Sequence, residues 1–200
     1  MYKRQVIHDG REGEVSVTLR NLGQSSRTLY TDSSHRTKSY GALGDVLASF
    51  SSDGAWLGTT TVRWSDNIWT ATLAIDSLDG KSRLYEDRFE LDTAYAARSP
   101  IWSPAGPLHL AYFRFPRRAA EGELVIVALR QGRLSRVVVP HVLRGDFRHP
   151  SVASLWSPSG ESFAWFSADR TLNSTDPETG KNRILMELPE RFPQWRWATP

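Results

Sequence analysis

Apolar and polar residues alternate along most of this chain in short runs that glycine turns interrupt. The runs at 68–76, 108–114 and 124–130 combine β-branched, aromatic and small residues, a mixture that favours strands over helices. Dipeptides such as Asp53-Gly54 and Asp79-Gly80 separate the runs, and these residue types tolerate the positive φ of tight hairpins. The pattern therefore predicts an all-β chain built from short antiparallel strands.

One turn recurs three times at nearly equal spacing. The segments Phe50 to Gly54, Trp102 to Gly106 and Trp156 to Gly160 each place an aromatic residue and a serine before a glycine. The three glycines lie 52 and 54 residues apart, and a second glycine follows each of them after 20 to 26 residues. Four strands and two glycine turns in about 50 residues is the arrangement of a β-propeller blade.

Each predicted blade has four strands, A to D, with strand A innermost. Strand A runs into the first turn at 46–50, 100–102 and 152–156, and strand B follows it at 56–61, 108–114 and 162–167. Strand C lies before the second glycine, at 15–20, 68–76, 124–130 and 170–175, and strand D lies after it, at 27–31, 83–85, 134–139 and 183–187.

The repeat divides the chain into parts of a propeller that we expect to have six to eight blades. The predicted parts are the outer half of one blade (6–40), three blades (41–92, 93–145 and 146–190) and the start of another (191–200). An open set of about four blades leaves faces uncovered, so we expect the fragment to oligomerise through them.

The repeated motif resembles the WD-like repeats of TolB-type propellers. The resemblance lies in Trp102-Ser103-Pro104 and Trp156-Ser157-Pro158 with the aromatic strands that follow them, and it covers nearly all of residues 6–200. The same blade motif occurs in propellers of prolyl-oligopeptidase-family peptidases and of bacterial signalling proteins. The resemblance implies a bacterial propeller, with a periplasmic or extracytoplasmic location slightly favoured.

The aromatic residues of the repeat are expected to pack between blades, because large rings fill the wedge between neighbouring sheets. This prediction covers Phe50, Trp56, Trp102, Trp156 and Trp165.

The first five residues, Met1 to Gln5, resemble the translation of a sequencing adapter rather than protein sequence. Without Lys3 and Arg4, 23 basic residues stand against 22 acidic ones, so the formal charge falls from +3 to +1. We therefore predict no nucleic-acid partner. The longest apolar run, 124–129, is also far shorter than the ~20 residues of a membrane-spanning helix.

The sequence lacks several motifs that mark catalytic and metal sites. There is no cysteine and no Gly-x-Ser-x-Gly nucleophile elbow. The five histidines show no metal-ligand spacing, no carboxylate stands at a useful spacing from them, and surface or turn positions are expected for them. The innermost strands carry no carboxylate pair. We expect a non-catalytic chain without metal or cofactor.

The connections B to C and D to A are expected to be long and variable and to lie on one side of the blades. Binding residues concentrate on such loops because rigid sheets position them. The candidate binding residues are Trp64, Asp66, Tyr95, Arg98, Arg117, Arg118, Arg144, Arg148 and His149.

Two functions remain open at this point. The first is a scaffold or ligand-sensing module that binds a protein or peptide partner on this loop face. The alternative is the substrate-gating propeller of a prolyl-oligopeptidase-family serine peptidase, whose catalytic domain would lie outside these 200 residues.

Overall fold

The computed structural model describes in full residues 47–79, 81–93, 97–130, 133–143 and 155–187, and it describes the backbone alone at 5–8, 15–20 and 27–32. This part of the chain consists of strands and turns, without a helix. The chain divides into two compact units, Met1–Pro100 and Ile101–Pro200. The predicted all-β fold of consecutive antiparallel, propeller-type sheets is confirmed.

The first sheet of unit 1 has three strands in chain order, β1 (Gln5–His8), β2 (Val15–Arg20) and β3 (Arg27–Asp32). Strands β2 and β3 coincide with the predicted strands C and D. Strand β1 is an addition to that prediction, and its first residue, Gln5, pairs with Arg20 although it belongs to the segment that resembles an adapter.

The second sheet of unit 1 has the predicted order of a complete blade. Its strands are β4 (Leu47–Phe50), β5 (Trp56–Ser65), β6 (Ile68–Ser77) and β7 (Arg83–Leu91), and each pairs with the next. Strands β5 and β7 are longer than predicted. The reason is an apolar face that continues along both strands.

That apolar face forms the core of the second sheet. Val62, Ala71 and Leu91 are buried there with Ala97, and Leu47, Trp69 and Phe89 pack against them. Every second side chain of a strand lies on the same face of the sheet. Val62 and Leu91 therefore extend the packed surface beyond the predicted strand ends.

The first sheet of unit 2 also has four strands in the predicted order. They are β8 (Ile101–Trp102), β9 (Leu108–Arg114), β10 (Gly122–Arg130) and β11 (Arg133–Val142). Residues 124–128 of β10 are at most 1% exposed, so both faces of this strand are covered. A continuous apolar run is what such burial on two faces requires.

The second sheet of unit 2 contains β12 (Phe163–Phe166), β13 (Thr171–Thr175) and β14 (Asn182–Glu187). Trp156 extends the sheet on its inner side through an isolated bridge to Phe163. The Ala164 N–H also donates to the Leu155 carbonyl at 2.7 Å. The predicted innermost strand is thus represented by its last two residues, because 151–154 lie outside the described residues.

Aromatic rings join the two sheets of unit 2, as predicted. Trp156, Trp165 and Trp102 are 4%, 3% and 7% exposed. The Trp156 indole N–H donates to the Ile101 carbonyl of the neighbouring sheet at 3.0 Å. Phe113 and Phe163 meet across the same interface with ring centroids 6.0 Å apart. In unit 1, Phe50 and Trp56 are only half-buried.

Candidate functional site

The two ends of these sheets differ in the residues that adopt left-handed backbone conformations. At the end with the A-to-B and C-to-D turns, here called the glycine end, the described residues with positive φ are Gly54, Gly106, Gly160 and Gly180. At the opposite end, here called the loop end, they are Asp66, Asn67, Arg118, His141 and Arg170. Glycine adopts this conformation without strain, whereas a residue with a Cβ pays roughly 1 kcal/mol.

The glycine end is organised by the serine of the repeated motif. Ser51 Oγ accepts the Trp56 N–H at 2.9 Å, and Ser103 and Ser157 accept the N–H groups of His109 and Ser162 at 3.1 Å each. The repeat therefore retains a serine because its hydroxyl satisfies the first backbone donors of strand B. This role is structural.

Two glycine turns of unit 2 lie against each other, backbone to backbone. A Cβ at Gly160 would lie 2.2 Å from the Ala105 carbonyl oxygen, and a Cβ at Gly106 would lie 2.8 Å from that of Ser159. Neither approach leaves room for a side chain. The glycine end is thus filled by the packing of neighbouring turns.

The loop end of unit 1 is the hairpin between β5 and β6. The sequence predicted a long connection at Trp64, Asp66 and Asn67, and this prediction is wrong. Ser65 pairs with Ile68, so the loop is a two-residue turn in which Asp66 and Asn67 have φ of 52° and 61°. Aspartate and asparagine tolerate this type of turn, which matches the twist of the flanking strands.

Trp64 is the most prominent side chain of this hairpin. It is 52% exposed, and its ring packs against Trp69 on the paired strand with centroids 4.8 Å apart. A polar groove of about 490 Å³ runs from Trp64 across one face of the sheet, past the threonines of β5 and β6 and the charged residues Arg63, Glu86 and Arg88. An exposed tryptophan that packs against a second ring presents a large apolar surface to solvent.

An ion-pair cluster around Arg83 lies at the end of the groove opposite Trp64. Its guanidinium donates to Asp76 Oδ1 at 2.8 Å and to Glu86 Oε2 at 2.6 Å. The hydrogen bond with Asp76 raises the pKa of Arg83 further above its ordinary value, and the bond with Glu86 adds to this effect. Because Arg83 is engaged in this way, its role in the groove is structural.

The loop end of unit 2 brings together three connections of two sheets. The end of β11 pairs with β12 through a bridge between Val142 and Ser167. The Leu143 N–H donates to the Phe166 carbonyl at 2.9 Å, and the Ala168 N–H donates to the His141 carbonyl at 2.7 Å. The loop from β9 to β10 joins them because the Nδ1 atom of His141 lies 2.6 Å from Glu121 Oε2.

The predicted candidate residues fall into three groups. Trp64 and Asp66 lie at the hairpin of unit 1, and Arg98, also in unit 1, is half-buried with its Nη1 donating to the Ala97 carbonyl at 2.9 Å. Half-buried Arg117 and exposed Arg118 lie in the β9–β10 loop of unit 2, which the structure joins to His141. The candidates that lie outside the described residues are Tyr95, Arg144, Arg148 and His149.

The expectation that the histidines occupy surface or turn positions is wrong for His109. His109 is the second residue of β9, is 1% exposed, and its ring stacks on Trp156 with centroids 5.7 Å apart. Its Nε2 atom lies 2.9 Å from Glu178 Oε1, which also binds Arg130 at 2.6 Å. The only sequence signal was the position of His109 between two leucines of a predicted strand. Its carboxylate partner, 69 residues away, could not be predicted.

Among the described residues no group of three or more potential metal ligands occurs. The helix search of the same residues finds no candidate for a membrane-spanning helix.

Comparison of the sequence with protein-family models finds no match, and comparison with curated proteins finds none. Among solved structures, the chain is similar to TolB from Acinetobacter baumannii, with 14% sequence identity and a TM-score of 0.41. The likeness covers 86% of this chain and 37% of the TolB chain. This chain therefore spans well under half the length of that structure. At this level of similarity no function transfers, and the fold assignment rests on strand order.

Proposed function

We propose that this chain is a non-catalytic propeller module that binds a protein or peptide partner at the loop ends of its sheets. The observation that supports the proposal is the division of left-handed residues between the two ends. At the glycine end the residues in this conformation are glycines, which adopt it without strain. At the loop end they are Asp66 and Asn67, which tolerate it, and Arg118, His141 and Arg170, which place large side chains there.

Side chains at strained positions cluster where function uses them, since selection for stability alone would replace them. The loop end also exposes Trp64, Arg118 and His141. Tryptophan and arginine are the residue types that dominate the energy of protein interfaces, because they bury large areas and form charge-assisted hydrogen bonds. The described glycine end offers no exposed aromatic side chain.

Site-specific photo-crosslinking in the source cells tests the proposal. A benzoylphenylalanine residue replaces Trp64 or Arg118 at the loop end, and Asp53 or Lys81 at the glycine end as matched exposed controls. We expect a discrete protein or peptide adduct from the loop-end positions and none from the controls. Adducts that form equally from both ends, or from the controls alone, would contradict the proposal.

A further inference from the structure

The loop end of unit 2 carries several basic side chains. What they indicate about the chemistry of the partner rests on the proposed function. We name this loop end the unit 2 loop junction and define it as residues 116–121, His141, Val142 and 167–170. Backbone hydrogen bonds from β12 and its turn fix it to the end of β11 at 2.7 and 2.9 Å. Bonds of this kind keep the backbone of the junction in place before a ligand arrives.

Basic side chains are concentrated in this junction. Arg117, Arg118, His141 and Arg170 all belong to it, and the acidic residues are Glu121 and Asp169. Asp169 is part of its own turn, where its N–H donates to Ser167 Oγ at 3.0 Å and its carboxylate accepts from the same hydroxyl. Arg118, His141 and Arg170 each have a φ of 63°. Three cationic or titratable residues therefore occupy positions that glycine would fill at lower cost.

The junction already binds one carboxylate of its own chain. Glu121 Oε2 lies 2.6 Å from His141 Nδ1, and both side chains are largely accessible, at 42% and 66% exposed. This contact shows which functional group fits beside His141. The planar guanidinium group of arginine can bind a carboxylate through two parallel hydrogen bonds.

We propose that the unit 2 loop junction binds the carboxylate side chains of an acidic peptide segment of the partner, with Glu121 occupying part of the site when no partner is present. Nucleic acid is the less favoured ligand, because Glu121 and Asp169 lie among the arginines and phosphate binding needs an uninterrupted basic surface.

Fluorescence anisotropy on the whole chain tests this proposal, with a fluorescein-labelled peptide of alternating glutamate and serine as the probe, at low ionic strength. We expect R118Q and R170Q each to weaken binding about tenfold, the effect of one charge-assisted contact. The matched control is R183Q, which removes an exposed arginine from the glycine-end side of β14. It is expected to leave the affinity unchanged.

Two further variants keep the test decisive. E121Q removes the internal competitor, so it is expected to strengthen binding roughly threefold, in line with the modest energy of an exposed ion pair. R118G relieves the backbone strain and still removes the cation, so loss of binding in R118G is assigned to the cation when its thermal melt matches that of the unmodified chain. Thermal melts of all variants confirm the folded state.

Several outcomes would overturn the inference. One is an equal loss of affinity in R183Q, which would indicate unspecific attraction. Another is tighter binding of a single-stranded oligothymidine with the same dependence on Arg118. If the acidic peptide does not bind while the loop-end crosslinks form, this inference fails and the proposed function stands. If the crosslinks are absent and the peptide binds, the proposed function in the cell fails, while the preference of the junction for carboxylates stands.

Discussion

The glycine end and the loop end of these sheets solve the same geometric problem in different ways. Both contain tight turns with positive φ, and one supplies them with Gly106 and Gly160, the other with residues such as Arg118 and Arg170. At the glycine end the neighbouring turns press against each other, so a side chain has no room. At the loop end Arg118 and His141 are exposed. The difference supports the proposal that the loop end binds a partner while the glycine end contributes to stability.

The comparison also separates two tryptophans of the same chain. Trp156 is buried between two sheets and donates to a backbone carbonyl, whereas Trp64 is half-exposed and packs against Trp69. A residue type enriched in this sequence thus serves packing in one place and presents surface in another. Burial, and not residue type, decides the role.

Replacement of the two tryptophans is expected to give the largest contrast. Trp156→Ala removes a buried ring and its hydrogen bond, so it should lower the free energy of unfolding by about 3 to 5 kcal/mol. Trp64→Ala should cost about 1 kcal/mol, the energy of one aromatic pair at the surface. Urea denaturation measures both. Equal losses would contradict the assignment of Trp64 to recognition.

Substitution of glycines by alanine is the next test in size. Gly160→Ala places a Cβ against a backbone oxygen and forces a left-handed alanine, so it should cost roughly 3 kcal/mol. Gly180→Ala is the matched control. Its Cβ would lie 2.9 Å from a Val137 methyl, which can move, so the cost should be near the ~1 kcal/mol of backbone strain alone. Thermal and urea unfolding rank the two, and a larger loss for Gly180→Ala would contradict the backbone contact.

At the loop end we expect a substitution by glycine to stabilise the fold. Arg118→Gly relieves a left-handed residue and should raise the free energy of unfolding by about 0.5 kcal/mol. Arg183→Gly, in strand β14, serves as the control and should lower it by a similar amount, because glycine weakens a strand. Urea midpoints of the two variants must therefore shift in opposite directions. A loss of stability in Arg118→Gly would show that the side chain has a structural role.

The smallest expected effect concerns Asp176 at the glycine end. Its carboxylate accepts the N–H groups of Glu178 and Thr179 at 2.7 and 3.1 Å. The bond from Thr179, followed by that from Glu178, lowers the pKa of Asp176 below its ordinary value of 3.8. A lowered folded-state pKa stabilises the fold above 3.8, and this contribution is lost as the pH falls through the lowered value.

Asp176→Ala should therefore lower the free energy of unfolding by about 0.3 kcal/mol at neutral pH, because solvent screens this partly exposed carboxylate. The difference in free energy of unfolding between Asp176→Ala and the unmodified chain should decrease once the pH drops below 3.8. It should vanish below the lowered pKa. Urea midpoints recorded across this range measure the difference. A difference that is constant with pH would show that the carboxylate charge is not responsible.

Much of the fold could be predicted because the repeat marks the turns and the alternation marks the strands. Strand β9 was predicted with its observed bounds. Strand β5 was predicted too short, although Val62 and Trp64 continue its alternation of polar and apolar residues. The candidate site was harder to predict. Arginine is not a residue type that signals positive φ, so the left-handed backbone at Arg118 and Arg170 could not be predicted from sequence. Contacts between sheets, such as His109 with Glu178, depend on packing that one sequence does not encode locally.

The reciprocal approach of Gly106 and Gly160 to the turn beside each of them has a consequence for rearranging these blades. A blade can be exchanged for another only if both members of the new pair of turns lack a side chain at that point. Each glycine therefore makes room for the turn of the next repeat, whereas the segment 116–121 has no such backbone-to-backbone requirement. A chimera that exchanges 116–121 should fold, and one that moves a blade without its glycine should not.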